Sequence, residues 1–149
     1  YGPAFATHCV DVEVDPETMM VDVKRYVIVE DCGTLLNPLI VEGQLHGGMA
    51  LGLGHSFYEK LVYDENGQLL NASFVDYLLP TALEVPRVEV SHLETPSPLN
   101  PLGSKGVGEG GAIPVPAVFA QALENALADY GIEILETPMS PNKLFELLK

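Results

Sequence analysis

Five glycines (Gly43, Gly47, Gly48, Gly52 and Gly54) stand in a stretch from Pro38 to about Lys60 whose pattern is otherwise helical. Each interior glycine costs a helix about 1 kcal/mol relative to alanine. Five are tolerable only where something packs very close to the backbone. Two readings are open: tight packing against another helix or a sheet, or close approach of a ligand to the helix start. The segment is neither a membrane dimer motif, given its charged flanks, nor a phosphate loop. It is too short to span a bilayer, because the apolar run Gly43 to Tyr58 is 16 residues long and carries His46 and His55.

The length of 149 residues suits a single domain over 1–149, and a chain of this size hides roughly 70% of its unfolded surface. A hydrophobic fraction of 47% excludes a disordered acidic tail. Acidic residues number 21 and basic ones 7, a net charge of −14, which excludes nucleic acid or anionic membrane as partners held by a general field. Cys9 precedes the turn Asp15-Pro16-Glu17-Thr18. If that turn closes a hairpin, Cys9 lies opposite Lys24 to Tyr26 and Cys32 falls beyond the paired region. No disulfide is expected, which points to a reducing, cytoplasmic location. Tyr1-Gly2-Pro3 shows no signal-peptide pattern, and the missing initiator methionine suggests a fragment or one piece of a larger assembly.

The N-terminal part reads as a hairpin, with Val10, Val12 and Val14 alternating with acids and Val21 and Val23 resuming after the turn. Tyr26-Val27-Ile28-Val29 is continuously apolar and predicts burial on both faces. A second hairpin is expected from Leu61-Val62-Tyr63 and Leu69-Leu70 around Asn66-Gly67. Phe74 to Leu79 predicts strand or irregular chain, Val88 and Val90 a strand extending to His92, and Glu94 to Ala112 a long irregular loop. Phe119, Leu123 and Leu127 predict a helix, with Gly131 at its C-terminal cap. Glu133-Ile134-Leu135 reads as a short edge strand, and Ser140-Pro141 as the start of a final helix. The expected class is α+β, with β-hairpins and a mixed sheet packed against the glycine-rich helix and the C-terminal helices.

Chemistry concentrates in Gly103-Ser104-Lys105-Gly106-Val107-Gly108-Glu109-Gly110-Gly111. Gly106, Gly108 and Gly111 formally match a dinucleotide fingerprint, but that motif needs a preceding strand and here a proline-rich loop precedes it. Glycines around a lone carboxylate let the backbone bring Glu109 against a ligand, where an enclosed carboxylate can act as a general base. The plain alternative is a solvated loop glutamate, and Lys105 likewise reads as a surface charge rather than an anion clamp. His46 and His55, nine residues apart, share no helix face and make no zinc motif. His8 and His92 read as strand or surface residues, and Cys32 as a small buried one. Gln44, one turn into the glycine-rich helix, can present its amide to a ligand.

In their order along the chain, Val29-Glu30-Asp31-Cys32-Gly33, Leu36-Asn37-Pro38, Val41-Glu42-Gly43-Gln44-Leu45-His46-Gly47-Gly48 and Lys105-Gly106-Val107-Gly108-Glu109 resemble the C-terminal part of the large, molybdopterin-binding subunit of the molybdenum hydroxylases. That family includes xanthine dehydrogenase, aldehyde oxidase and aerobic carbon monoxide dehydrogenase. Tyr63-Asp64-Glu65-Asn66-Gly67-Gln68 and Asn100-Pro101-Leu102-Gly103 bring the likeness nearest to large-subunit homologues of carbon monoxide dehydrogenase.

The resemblance implies that Glu109 is the general base beside molybdenum and that Gln44 contacts the pterin. It implies that Gly106, Val107 and Gly108 line the same pocket, and that this chain supplies no metal ligand. The implied cofactor is a molybdopterin cytosine dinucleotide carrying molybdenum. Iron–sulfur clusters and FAD would sit on partner domains or subunits, alongside the remainder of the large subunit and a small-molecule substrate. Leu51 stands where many relatives carry a polar residue, often glutamine. The family subunit is several times longer than this chain, and its cysteine-bearing substrate loop lies elsewhere, so Cys32 does not take that role. An isolated piece should be inactive and self-associate through uncovered apolar surface. The rival reading is a non-catalytic binding or assembly module that keeps the fold.

Overall fold

Alternating valines and acids organise the N-terminal third of the computed structural model, which describes residues 2–148. β1 (Phe5–Val14) and β2 (Val21–Asp31) form the expected antiparallel hairpin. Its register shifts by a bulge between Asp11 and Val12, so Cys9 lies opposite Val27, one residue beyond the expected span. Cys9 and Cys32 are both free. Tyr26 and Ile28 are fully buried, while Val27 and Val29 are only half-buried. The apolar run therefore covers one face of the sheet fully, and the other face packs more lightly than expected.

β3 (Val88–His92) adds to the other edge of β2 in parallel, giving the order β1-β2-β3. A parallel pair needs a crossover, and the glycine-rich segment supplies its helix. α1 (Pro38–Phe57) starts at Asn37, whose side-chain oxygen accepts from Ile40 N at 3.2 Å, with Pro38 in the first turn. Val41, Leu45, Met49, Leu53 and Ser56 recur along one buried stripe. The helix stops short of Lys60 because the N–H groups of Tyr58 and Glu59 both fold back onto Gly54 O.

Two expected strand regions do not form ladders among the described residues. The second hairpin shrinks to one bridge, Tyr63 to Leu69, around the Asn66-Gly67 turn. Glu133 to Leu135 stays irregular, and Ile134 N donates instead to the Glu124 side chain at 2.7 Å. Leu61 to Tyr63 is exposed and Glu133 to Leu135 packs only Ile134 against the core, so neither segment buries enough to sustain a ladder.

α2 (Val115–Ala126) lies against α1 and β1. Phe119 fixes it there, with its ring 5.7 Å from that of Tyr26 and 4.9 Å, edge-on, from that of Phe57. A single helical turn over Ala128–Tyr130 follows and ends at Gly131, in the left-handed conformation expected of a cap. α3 (Pro141–Leu147) begins at Ser140, which accepts from Lys143 N, and buries Leu144. The α+β class expected from sequence is the observed one, a mixed three-stranded sheet with its helices packed on one face.

Candidate functional site

The end of β2 anchors the long loop. Lys105 N donates to Cys32 O at 2.7 Å, Thr34 N to Gly103 O at 3.0 Å, and Gly33 bridges Ser104. Gly33 and Gly103 both have positive φ, and a Cβ on Gly33 would lie 2.2 Å from Gly103 O. Lys105, read from sequence as a surface charge, is instead buried. Its Nζ lies 3.0 Å from Asp31 Oδ1 and 5.2 Å from the Phe5 ring centroid. Asp31 also accepts from Gly33 N and Thr95 N. Hydrogen bonds from Thr95, then Gly33, and the Lys105 ammonium hold its carboxyl well below the usual range.

From this anchor the chain runs through Gly106 to Gly110 and turns into α2. The turn closes through Ala112 N and Ile113 N, both donating to Glu109 O. His8, on β1, steadies the loop from below. Its Nε2 is 3.0 Å from Gly110 O and its Nδ1 2.8 Å from the Tyr26 hydroxyl. Gly110 O can only accept, so Nε2 carries the proton and Tyr26 donates to Nδ1. Burial favours this neutral ring by lowering its pKa.

Four of the five α1 glycines divide into two sets. Gly48 and Gly52 serve packing: a Cβ on Gly48 would meet backbone of Gly111 at 2.8 Å, and one on Gly52 would meet Val115 at 2.5 Å. Gly43 and Gly47, and Gly108 across from them, have nothing within 4 Å of a Cβ. The packing reading holds for Gly48 and Gly52, while Gly43 and Gly47 leave bare backbone facing open space.

That open space is a groove of about 630 Å³ between α1 and the loop. Gln44, Leu51 and His55 line it from the helix, and Gly108 and Glu109 from the loop. A second depression of about 370 Å³ lies on the other side of the loop, lined by Gly106, Val107, Phe5 and Glu30. Gly108 and Glu109 border both. Of the residues expected at the site, Gln44, Gly108 and Glu109 share the groove, while Gly106 and Val107 face the second depression. Glu109 is exposed at the rim.

Sequence reasoning passed over His8, Glu30 and His55 as site residues. Glu30 lies in a motif that carries the resemblance but draws no role from it, His8 reaches the loop through strand pairing, and His55 faces the groove only because helical rotation sets it apart from His46. No lysine or arginine among the described residues lines the groove. Among the described residues no group of three His, Cys, Asp or Glu side chains is placed to hold a metal ion, and no helix is long and apolar enough to cross a membrane. Bare backbone at three positions, an amide and a carboxylate suit a flat, largely uncharged ring system laid against the groove, and leave phosphates without a counter-charge.

Comparison with known proteins gives the same direction. Residues 1–86 match the molybdopterin cofactor-binding domain family, a span that includes Gln44. The nicotine 6-hydroxylase large subunit of Paenarthrobacter nicotinovorans is 43% identical over 142 residues, covering 95% of this chain and 17% of the relative. The carbon monoxide dehydrogenase large chain of Hydrogenophaga pseudoflava is 38% identical over 148 residues, covering 97% of this chain and 18% of the relative. The crystal structure of quinoline 2-oxidoreductase from Pseudomonas putida 86 superposes with a TM-score of 0.91 at 44% identity, covering 95% of this chain and 18% of that one. This chain thus spans less than a fifth of each of these three relatives. It belongs to the molybdopterin cofactor-binding domain family, whose relatives here are large subunits of molybdenum hydroxylases.

Proposed function

We propose that residues 1–149 form one domain of the large subunit of a molybdenum-dependent oxidoreductase, in which Glu109 is the general base and Gln44 and the backbone of Gly106 to Gly108 form part of the molybdopterin pocket. One observation carries this reading: Gln44 and Glu109, far apart in sequence, stand on opposite walls of a single glycine-lined groove. When bound, the molybdenum cofactor supplies the two-electron redox centre.

The chain's own residues have definable tasks. The Gln44 amide offers two N–H donors and an acceptor to a heterocycle edge. Gly43, Gly47 and Gly108 allow that edge to reach backbone. Leu51 and Ile113 line the groove with apolar surface that displaces water once a ligand covers it. Glu109 receives a proton at its carboxylate from the reacting oxygen nucleophile and later releases it to solvent at the rim. With no lysine or arginine lining the groove among the described residues, the phosphates of a cytosine dinucleotide cofactor would be held by the remainder of the large subunit. Electrons would leave through iron–sulfur and flavin partners. Free thiols at Cys9 and Cys32 support a cytoplasmic setting.

The test is metal analysis and turnover of the assembly purified from its native source with partners retained. Molybdenum is expected, and E109Q should lower kcat by about 10²–10⁴-fold, the usual contribution of a general base, with metal content unchanged. An assembly without molybdenum, or an E109Q enzyme as active as wild type, overturns the reading.

A further inference from the structure

Glu30 is the last apolar-facing position of β2, and its side chain is fully buried. Both of its carboxyl oxygens lack a hydrogen-bond partner among the described residues. Buried polar atoms are nearly always satisfied, so an orphaned carboxyl calls for a reason. It lines the depression beneath the loop that carries Glu109. The loop rests directly upon it, since a Cβ added to Gly110 would lie 2.7 Å from Glu30 Oε2. The carbonyl of the same Gly110 is held by His8. Gly110 is thus seated between one hydrogen-bonded ring and one unpartnered acid.

We propose that Glu30 is a positioning residue for Glu109: as a neutral acid it seats the Gly106–Gly110 loop, and on ionising it draws water beneath the loop and displaces it. This rests on the reading of Glu109 as the base. A carboxylate in this place accepts no hydrogen bond and has only the distant help of the Lys105 charge, so ionisation calls for hydration. Both oxygens are sealed from solvent under the seated loop, so hydrating them means moving it.

The groups facing Glu30 agree with a proton held there. Its own strand contributes Asp31 and Cys32, and β1 places His8 one step along the same face. β3 places His92 opposite it in register, and both ring nitrogens of His92 are likewise buried without partners. Lys105 stands on the loop, but its ammonium is engaged by Asp31. Burial first, and the Asp31 charge second, push the Glu30 carboxyl up to about 7 against the pull of Lys105.

The experiment is infrared difference spectroscopy on the intact assembly, reading the C=O stretch of a protonated carboxylic acid as pH is raised, beside pH profiles of kcat and kcat/KM. The band should fade through about pH 7 in wild type, persist in E109Q, vanish in E30Q and move in frequency and midpoint in E30D. The kcat profile of wild type should carry a limb with the same midpoint, which E30Q removes and E30D shifts. No such band, or a band unchanged in both Glu30 variants, overturns the proposal. So does a kcat profile that E30Q and E30D leave superimposed on wild type, because a merely structural acid would do that. E30D keeps the acid and so keeps the test readable if E30Q fails to assemble. If E109Q turns over like wild type, the base assignment fails and the positioning role with it, while the band still reports on the Glu30 proton.

Discussion

Lys105 Nζ and Asp31 Oδ1 are 3.0 Å apart, with side chains only 6% and 11% exposed, at the point where the loop bearing Glu109 meets the end of β2. Removing one partner of such a pair leaves the other buried and uncompensated. K105M and D31N should each lower Tm by at least several degrees in thermal melts. Asp31 is depressed in the fold, so its contribution is present above its unfolded value of 3.8 and is lost as pH falls through the lower folded value. D31N should therefore flatten the acid side of the stability curve.

Glu30 acts in the opposite sense. Its folded value of about 7 exceeds the unfolded 4.5, so its contribution is complete below 4.5 and is lost as pH rises through 7. E30Q should match wild type under acid conditions and exceed it above neutrality by roughly 1–3 kcal/mol, the cost of an unsatisfied buried group. Denaturant melts at several pH values check this.

Gly47 and Gly48 are adjacent and should respond oppositely. G47A adds a methyl into open space and removes a glycine from a helix, so stability should rise by up to about 1 kcal/mol. If the groove takes the cofactor as proposed, molybdenum content of the assembly should nevertheless fall, because the methyl enters the groove. G48A drives a methyl against the backbone of Gly111 and should cost about 1–3 kcal/mol. Calorimetry paired with metal analysis separates the two.

Phe119 holds α2 between the sheet and α1. F119A should destabilise the domain by about 3–5 kcal/mol, measured by urea unfolding, with a cavity opening beside Tyr26 and Phe57.

Leu39, Phe74, Val75 and Leu83 are each at least 80% exposed. Prepared on its own, this chain should self-associate, and sedimentation should show a concentration-dependent mass. A monomer at all concentrations would contradict this.

The sequence made the local rules legible. Valine–acid alternation marked the β1–β2 hairpin, Asn37-Pro38 and Ser140-Pro141 marked two helix starts, and Gly131 marked a cap. It misplaced what depends on distant neighbours. Cys9 shifted by one because a bulge leaves no mark in alternation. Glu133 to Leu135 formed no ladder because a strand needs a partner that residue identities do not name. Lys105 was misread because only folding brings Asp31 beneath it. At the site, Glu109 and Gln44 stood out through their glycine surroundings and the resemblance. Glu30 and His8 did not, because their relation to the loop exists only across strands and through burial.

Both walls of the groove grow from one corner. The residues after β2 lead through Asn37 into α1, and the same few residues grip Gly103 to Lys105 at the root of the loop. A shift of this corner is therefore passed to helix and loop alike, which ties the seating of Gln44 to that of Glu109 at their common root.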